Sequence, residues 1–281
     1  EIHLDSEDNA VDELAECRDA GVQTVVDAMP CDGGRDPVRL ASIARRSAMH
    51  VVAATGLHHR RYYGAGHWSE AIPEEELGGL FIDDIQIGID RYDYSGPVVD
   101  RTSHRAGIIK IATGGAQLGP RDRRLITAAA LAHRETGAPI LTHCEGGAGA
   151  VEQIEALGLL GVPASSVITS HVDKIADAGY LGAIAETGAF LEFDQLCKKD
   201  LVTPPSAILI AQLAERGLLG HIVIGNDAAK RSLWHAWGGE PGLGWLAREL
   251  PGILRGIGLQ AADIDALFVG NPARALAMES S

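Results

Sequence analysis

The chain has 281 residues, 46% of them hydrophobic, enough to bury a large core as one globular domain spanning 1–281. A formal net charge of -14 argues against nucleic acid or an anionic membrane as a partner, because phosphate binding needs a basic surface. Cys17, Cys31, Cys144 and Cys197 form no CxxC pair, no stretch reaches the length of a membrane span, and no signal core opens the sequence, so a cytoplasmic protein with reduced thiols is expected.

In chain order, short β-branched runs alternate with longer amphipathic segments, the pattern of a parallel sheet covered by helices. Helices are predicted over Asp8–Ala20, Asp36–Ser47, Glu74–Gly88, Arg121–Thr136, Ala148–Leu157, Ile175–Thr187 and Ser206–Arg216. Strands are predicted over Val22–Asp27, His50–Thr55, Ile108–Ala112, Pro139–His143, Ser166–His171, Ala189–Asp194 and His221–Asp227. Gly21 and Gly137 just past helix ends, and Asp36-Pro37 at a helix start, supply the expected punctuation. Two longer connections, Gly56–Pro73 and Ala228–Gly244, follow strand ends and carry aromatics, which marks them as candidate pocket loops. Seven strands fall one short of a closed (β/α)8 TIM barrel, and the chain begins almost directly in a helix. The expectation is a barrel whose first strand is missing from this sequence.

The chemistry gathers at strand ends, which in such a barrel converge on one face. Lys110 interrupts the apolar run GIIKIAT, in a chain with five lysines against nineteen arginines. A buried amine without a partner tends to lose its proton, and as a neutral nucleophile it could form a Schiff base, act as a base, or take up carbon dioxide to give a metal-ligating carbamate. His143 and His171 end consecutive strands, so two imidazoles are offered to one divalent metal; the carbamate is then the best of the three readings of Lys110. Asp227 closes IVIGND, where a carboxylate can bind metal and accept a proton. Asp194, ending LEFD, points at the same mouth as a substrate-orienting group. In the pocket loops, His58 and Tyr62 of LHHRRYYGAGHW, and Trp234 and Trp237, are candidate substrate contacts, with Arg60 and Arg61 available to an anion. His50, His104, His133 and His221 sit at strand starts or inside a helix and read as structural.

Taken in order, AVDELAECRDAGVQTVVDA, GGRDP, VVAATG, GIIKIAT, THCEGG with AVEQ, SHVDK, GND and VGNPARAL resemble the phosphotriesterase family of the amidohydrolase superfamily over nearly the whole chain. The resemblance implies a distorted (β/α)8 barrel with two divalent metals, usually zinc, bridged by a carboxylated lysine and a hydroxide. It places Lys110 as the bridge, His143 and His171 as ligands of one metal, and Asp227 as ligand and proton shuttle. Two departures stand out. The family's His-x-His at the end of the first strand has no counterpart, since His3 in EIHLD has no histidine at i+2, and Asn226 precedes the aspartate where the family commonly has histidine.

The expected activity is metal-dependent hydrolysis of a lactone or related carboxylic ester, with Trp234 and Trp237 giving apolar surface to a neutral small-molecule substrate. Phosphotriester or amide hydrolysis would use the same site, and a non-catalytic ligand- or partner-binding barrel with half a metal site is the reading from another class. The resemblance is also compatible with a homodimer.

Overall fold

The computed structural model describes residues 4–198 and 200–278. Seven parallel strands form one sheet in sequence order: β1 (Thr24–Asp27), β2 (His50–Leu57), β3 (Ala106–Ala112), β4 (Ile140–His143), β5 (Val167–Ser170), β6 (Phe190–Phe193) and β7 (Ile222–Ile224). Helices α1 (Glu7–Asp19), α2 (Pro37–Ser47), α3 (Glu74–Gln86), α4 (Pro120–Thr136), α5 (Ala150–Leu159), α6 (Ala178–Glu186) and α7 (Pro205–Glu215) alternate with them. Each strand pairs with the one before it in the chain, the wiring of a β/α barrel. Among the described residues β1 and β7 are the edges; His3 and anything before it lie outside the described residues.

Strand alternation explains both the core and the site. Ile109, Ile111, Ile140, Val167, Leu191 and Ile222 join the large cluster under the helices, whereas Ile108, Leu141, Ile168, Phe190 and Val223 form a second cluster on the other side of the sheet. Because side chains alternate along a strand, the residues two positions beyond the second cluster share its inner side. Those residues are Lys110, His143, Ser170 and Glu192. A core of this kind, apolar on the helix side and turning polar toward the strand ends inside, is what a barrel mouth requires.

The predicted elements are present, with shifted ends. The sixth helix begins at Ala178 rather than Ile175, because Asp177 caps it by accepting from Gly179 N and Tyr180 N while residues 172–174 form a tight turn. The last strand stops at Ile224, three residues before Asp227, whose φ of 42° is incompatible with a strand. His171 likewise lies just past β5, with φ 68°. The carboxyl-terminal NPARAL segment is structural: the Asn271 side chain donates to Leu219 O at 2.9 Å and Ile222 O at 2.7 Å, fixing the start of β7. Cys17, Cys31, Cys144 and Cys197 are all free thiols and buried. No described helix is long and apolar enough to cross a membrane.

Candidate metal centre

The inner strand ends bring Lys110, His143, His171, Asp194 and Asp227 to one mouth. Lys110 is 5% exposed, and the hydrogen bond recorded for its Nζ is a long one to Ser170 Oγ, 3.4 Å. Burial pushes its pKa down, opposed by the negative charge of Glu192, Asp194 and Asp227 around it. Lys110 is buried, and its burial leaves no room for the snorkelling alternative. Strand β3 approaches β2 so closely here that a Cβ on Gly56 would lie 1.9 Å from Lys110 O.

His143 and His171 face each other with ring centroids 4.6 Å apart, nearly perpendicular at 75°. Both are 7% exposed, and burial drives their pKa values down, His143 to about 4. Neutral imidazoles are what metal ligation needs. Each ring has one nitrogen facing a carboxylate: His143 Nε2 is 2.8 Å from Glu145 Oε2, and His171 Nδ1 is 2.5 Å from Asp194 Oδ2. That leaves Nδ1 of His143 as its remaining ring donor.

The donor atoms of His171, Asp194 and Asp227 all lie within 4.8 Å of one another, and His171 Nδ1 is 4.0 Å from Asp227 Oδ2. His171 Nδ1 has no well-directed hydrogen bond despite its short approach to Asp194, a buried polar atom left without a proper partner. Imidazole and carboxylate donors converging on such an atom, beside a buried amine, fit a divalent cation of the zinc type. Asp194 accepts from His171 N at 3.0 Å and from the Gln195 amide, so it is built into the frame of His171 rather than turned to open solvent. Burial and the nearby Asp227 charge raise its pKa. Asp227 is a third exposed and contacts Lys198 Nζ. Asn226 points away from the cluster, donating to Leu243 O at 3.3 Å, so the change at that position leaves these donors in place.

The loop after β2 reaches the same mouth. His58 packs 5.8 Å from the His143 ring and 4.2 Å from Tyr62, and burial pushes its pKa to about 3. Arg60 is engaged by Glu70 at 2.9 Å and Arg61 by Glu145 at 3.2 Å, so both predicted anion contacts have partners in this state. Trp234 and Trp237 stack edge to face at 5.4 Å, and the Trp234 indole donates to Ala228 O at 2.8 Å. Their loop is tied down on α1, where the fully buried Glu13 carboxylate accepts from Ala236 N at 2.9 Å and Leu243 N at 2.7 Å.

Glu145, Ser170, Glu192, Gln195 and Lys198 were not singled out from the sequence. Ser170 and Glu192 follow from strand alternation once register is known. Glu145 and Lys198 sit in loops, where spacing carries no information about contacts.

The model of the Phosphotriesterase family matches residues 3–276. The chain is 31% identical over 296 residues to a phospho-furanose lactonase of Mycoplasmopsis synoviae, covering 99% of this chain and 83% of that protein. Among solved structures, an amidohydrolase from Mycoplasma synoviae superposes with a TM-score of 0.91 at 30% identity, over 98% of this chain and 81% of that one. A lactonase from Listeria monocytogenes gives 0.89 at 26% identity, over 99% and 88%. These matches run through the whole βα series that carries the histidines, the lysine and the aspartates, and the chain is a metal-dependent hydrolase belonging to the phosphotriesterase family.

Proposed function

We propose that this chain hydrolyses a lactone carrying an anionic, phosphate-type substituent. The ester chemistry is supported by the lactonase names of its relatives, two of which are called phospho-furanose lactonases. The charge of the substrate is read from an observation on this chain itself. Among the described residues, four lysines lie at or after strand ends: Lys110 in β3, Lys174 shortly after β5, Lys198 after β6 and Lys230 after β7. In a chain of net charge -14, lysines that follow strand ends, with Lys198 against Asp227, favour an anionic substrate. This departs from the expectation of a neutral ester, which rested on Trp234 and Trp237. Those rings are engaged with each other and with their own loop.

The residues divide the work. His143, His171 and Asp227 would hold metal, with a carboxylated Lys110 joining two zinc-type ions. Such ions, when bound, supply Lewis acidity and a water of lowered pKa. Asp227, partly open to solvent and in contact with Lys198, takes the proton from the attacking water at its free carboxylate oxygen and passes it outward. Asp194 keeps the His171 ring oriented, and His58 with Tyr62 covers one side of the ester.

The test begins with elemental mass spectrometry of the wild type and Lys110→Ala. Since this sequence lacks the family's His-x-His, one metal per chain is expected, rising toward two in a version that carries such a motif upstream, with most lost in the variant. A panel should follow of a furanose lactone with and without a phosphate, a paraoxon-type triester and an N-acyl amide. A phosphate held by one charge-assisted pair should favour the phosphorylated lactone by about 10–100-fold in kcat/KM. Equal turnover of the two lactones would refute the anionic assignment, and turnover of the triester alone would refute the lactone.

A further inference from the structure

Glu145 lies two residues after His143, in the tight turn Glu145–Gly147 that follows β4. Its Oε2 is 2.8 Å from His143 Nε2 and its Oε1 accepts from Arg61 Nη1 at 3.2 Å. One carboxylate thereby joins a candidate metal ligand to the loop after β2.

Both ends of this link are anchored. The Tyr180 hydroxyl donates to Gly147 O at 2.9 Å, and the Gln153 amide donates to His143 O at 3.4 Å. Gly147 runs so close to the next strand end that a Cβ there would lie 2.9 Å from His171 O, so the turn has little room to shift. On the other side, the base of the β2 loop is held by the Tyr63 hydroxyl, which accepts from His58 N at 2.8 Å and donates to Cys31 O at 2.9 Å. Arg121 donates to His58 O at 2.8 Å. Beyond those anchors Arg61 is about half exposed, at 48%, so its pair with Glu145 adds little to stability. Its consequence is directional. An imidazole that ligates metal through one nitrogen is fixed in tautomer and angle by what its other nitrogen donates to.

We infer that Glu145 is a positioning residue that holds the His143 imidazole for metal binding, and that Arg61 holds Glu145 in turn, so that the β2 loop is coupled to the metal centre. Movement of Arg61 toward an incoming anion would then be felt at His143 through a single shared carboxylate. The inference rests on the proposed metal-binding role of His143.

The test is the affinity of the full chain for Zn2+, measured by competition with a chelating indicator. Glu145→Ala should weaken binding about 10–100-fold, the usual effect of removing a carboxylate from a ligating histidine. Glu145→Gln should restore most of it, because the amide oxygen still accepts from the imidazole N–H. Arg61→Ala should weaken binding by a smaller factor in the wild type and by nothing further in either Glu145 variant. Wild-type affinity in Glu145→Ala, or an Arg61→Ala effect that persists undiminished on top of Glu145→Gln, would overturn the inference. The second arm decides the coupling even if Glu145→Ala fails to fold. A wild type that binds no metal removes the metal-site reading together with this one, whereas a metal-binding wild type indifferent to Glu145 removes this one alone.

Discussion

Lys110 shows what a single position announces. A lysine inside GIIKIAT has nowhere to go but the interior, and in the structure it is buried with one long hydrogen bond. His143 was legible for the same reason, since it ends an apolar run, and its burial has a measurable consequence. Its pKa falls from about 6.5 in the unfolded chain to about 4 in the folded one. Between those values the unfolded state binds the extra proton, so folding stability rises with pH there. The stability is therefore fully present above pH about 6.5 and is lost as pH falls toward 4, by up to roughly 3 kcal/mol for this one group. Urea denaturation of the metal-stripped protein at a series of pH values should show that slope, and His143→Asn should make it shallower. Glu145 was not legible: an acid in a glycine-rich turn looks solvated, and only the fold shows an imidazole on one oxygen and a guanidinium on the other.

At the scale of elements, strand identity was readable and strand ends were not. HIVIGND looks extended through to its aspartate because Val and Ile favour strands, yet pairing with β6 stops at Ile224 and the chain turns into the left-handed region at Asp227. That turn is what swings the carboxylate toward His171. The β2–β3 pair is tightly constrained next to the site. Gly56 has φ 105° and a Cβ there would meet Lys110 O at 1.9 Å, so neither backbone nor space admits a side chain. Gly56→Ala should destabilise the protein by several kcal/mol and displace β3 at Lys110. Thermal unfolding with a parallel metal titration would show both losses, and a variant with wild-type Tm and metal content would contradict this account.

Across the whole molecule, a buried ion network ties distant segments behind the mouth. Arg35, from the GGRDP motif, bonds Asp84 on α3 at 2.9 Å, Asp93 at 2.8 Å and Ala54 O on β2 at 2.7 Å, all out of solvent. Asp84 also accepts from Thr55 at 2.8 Å and from the hydroxyl of Tyr94, so one cluster fixes β2, α3 and the excursion before β3. Removing the cation strips Asp93 of its ion pair and leaves Asp84 only a longer approach from Arg101 at 3.3 Å, and Arg35→Ala should cost about 3–5 kcal/mol in urea unfolding. The expression GGRDP marked this arginine as part of a family pattern without saying what it touched. The sequence by itself determined the alternation of strands and helices, the inward residue types and the family, because periodicity and burial preferences act within a few residues of each position. Only the tertiary structure decided which carboxylate meets which imidazole, where Asp227 leaves its strand, and that Lys198 meets Asp227. Those facts depend on register and loop closure between segments tens of residues apart, which no local pattern encodes.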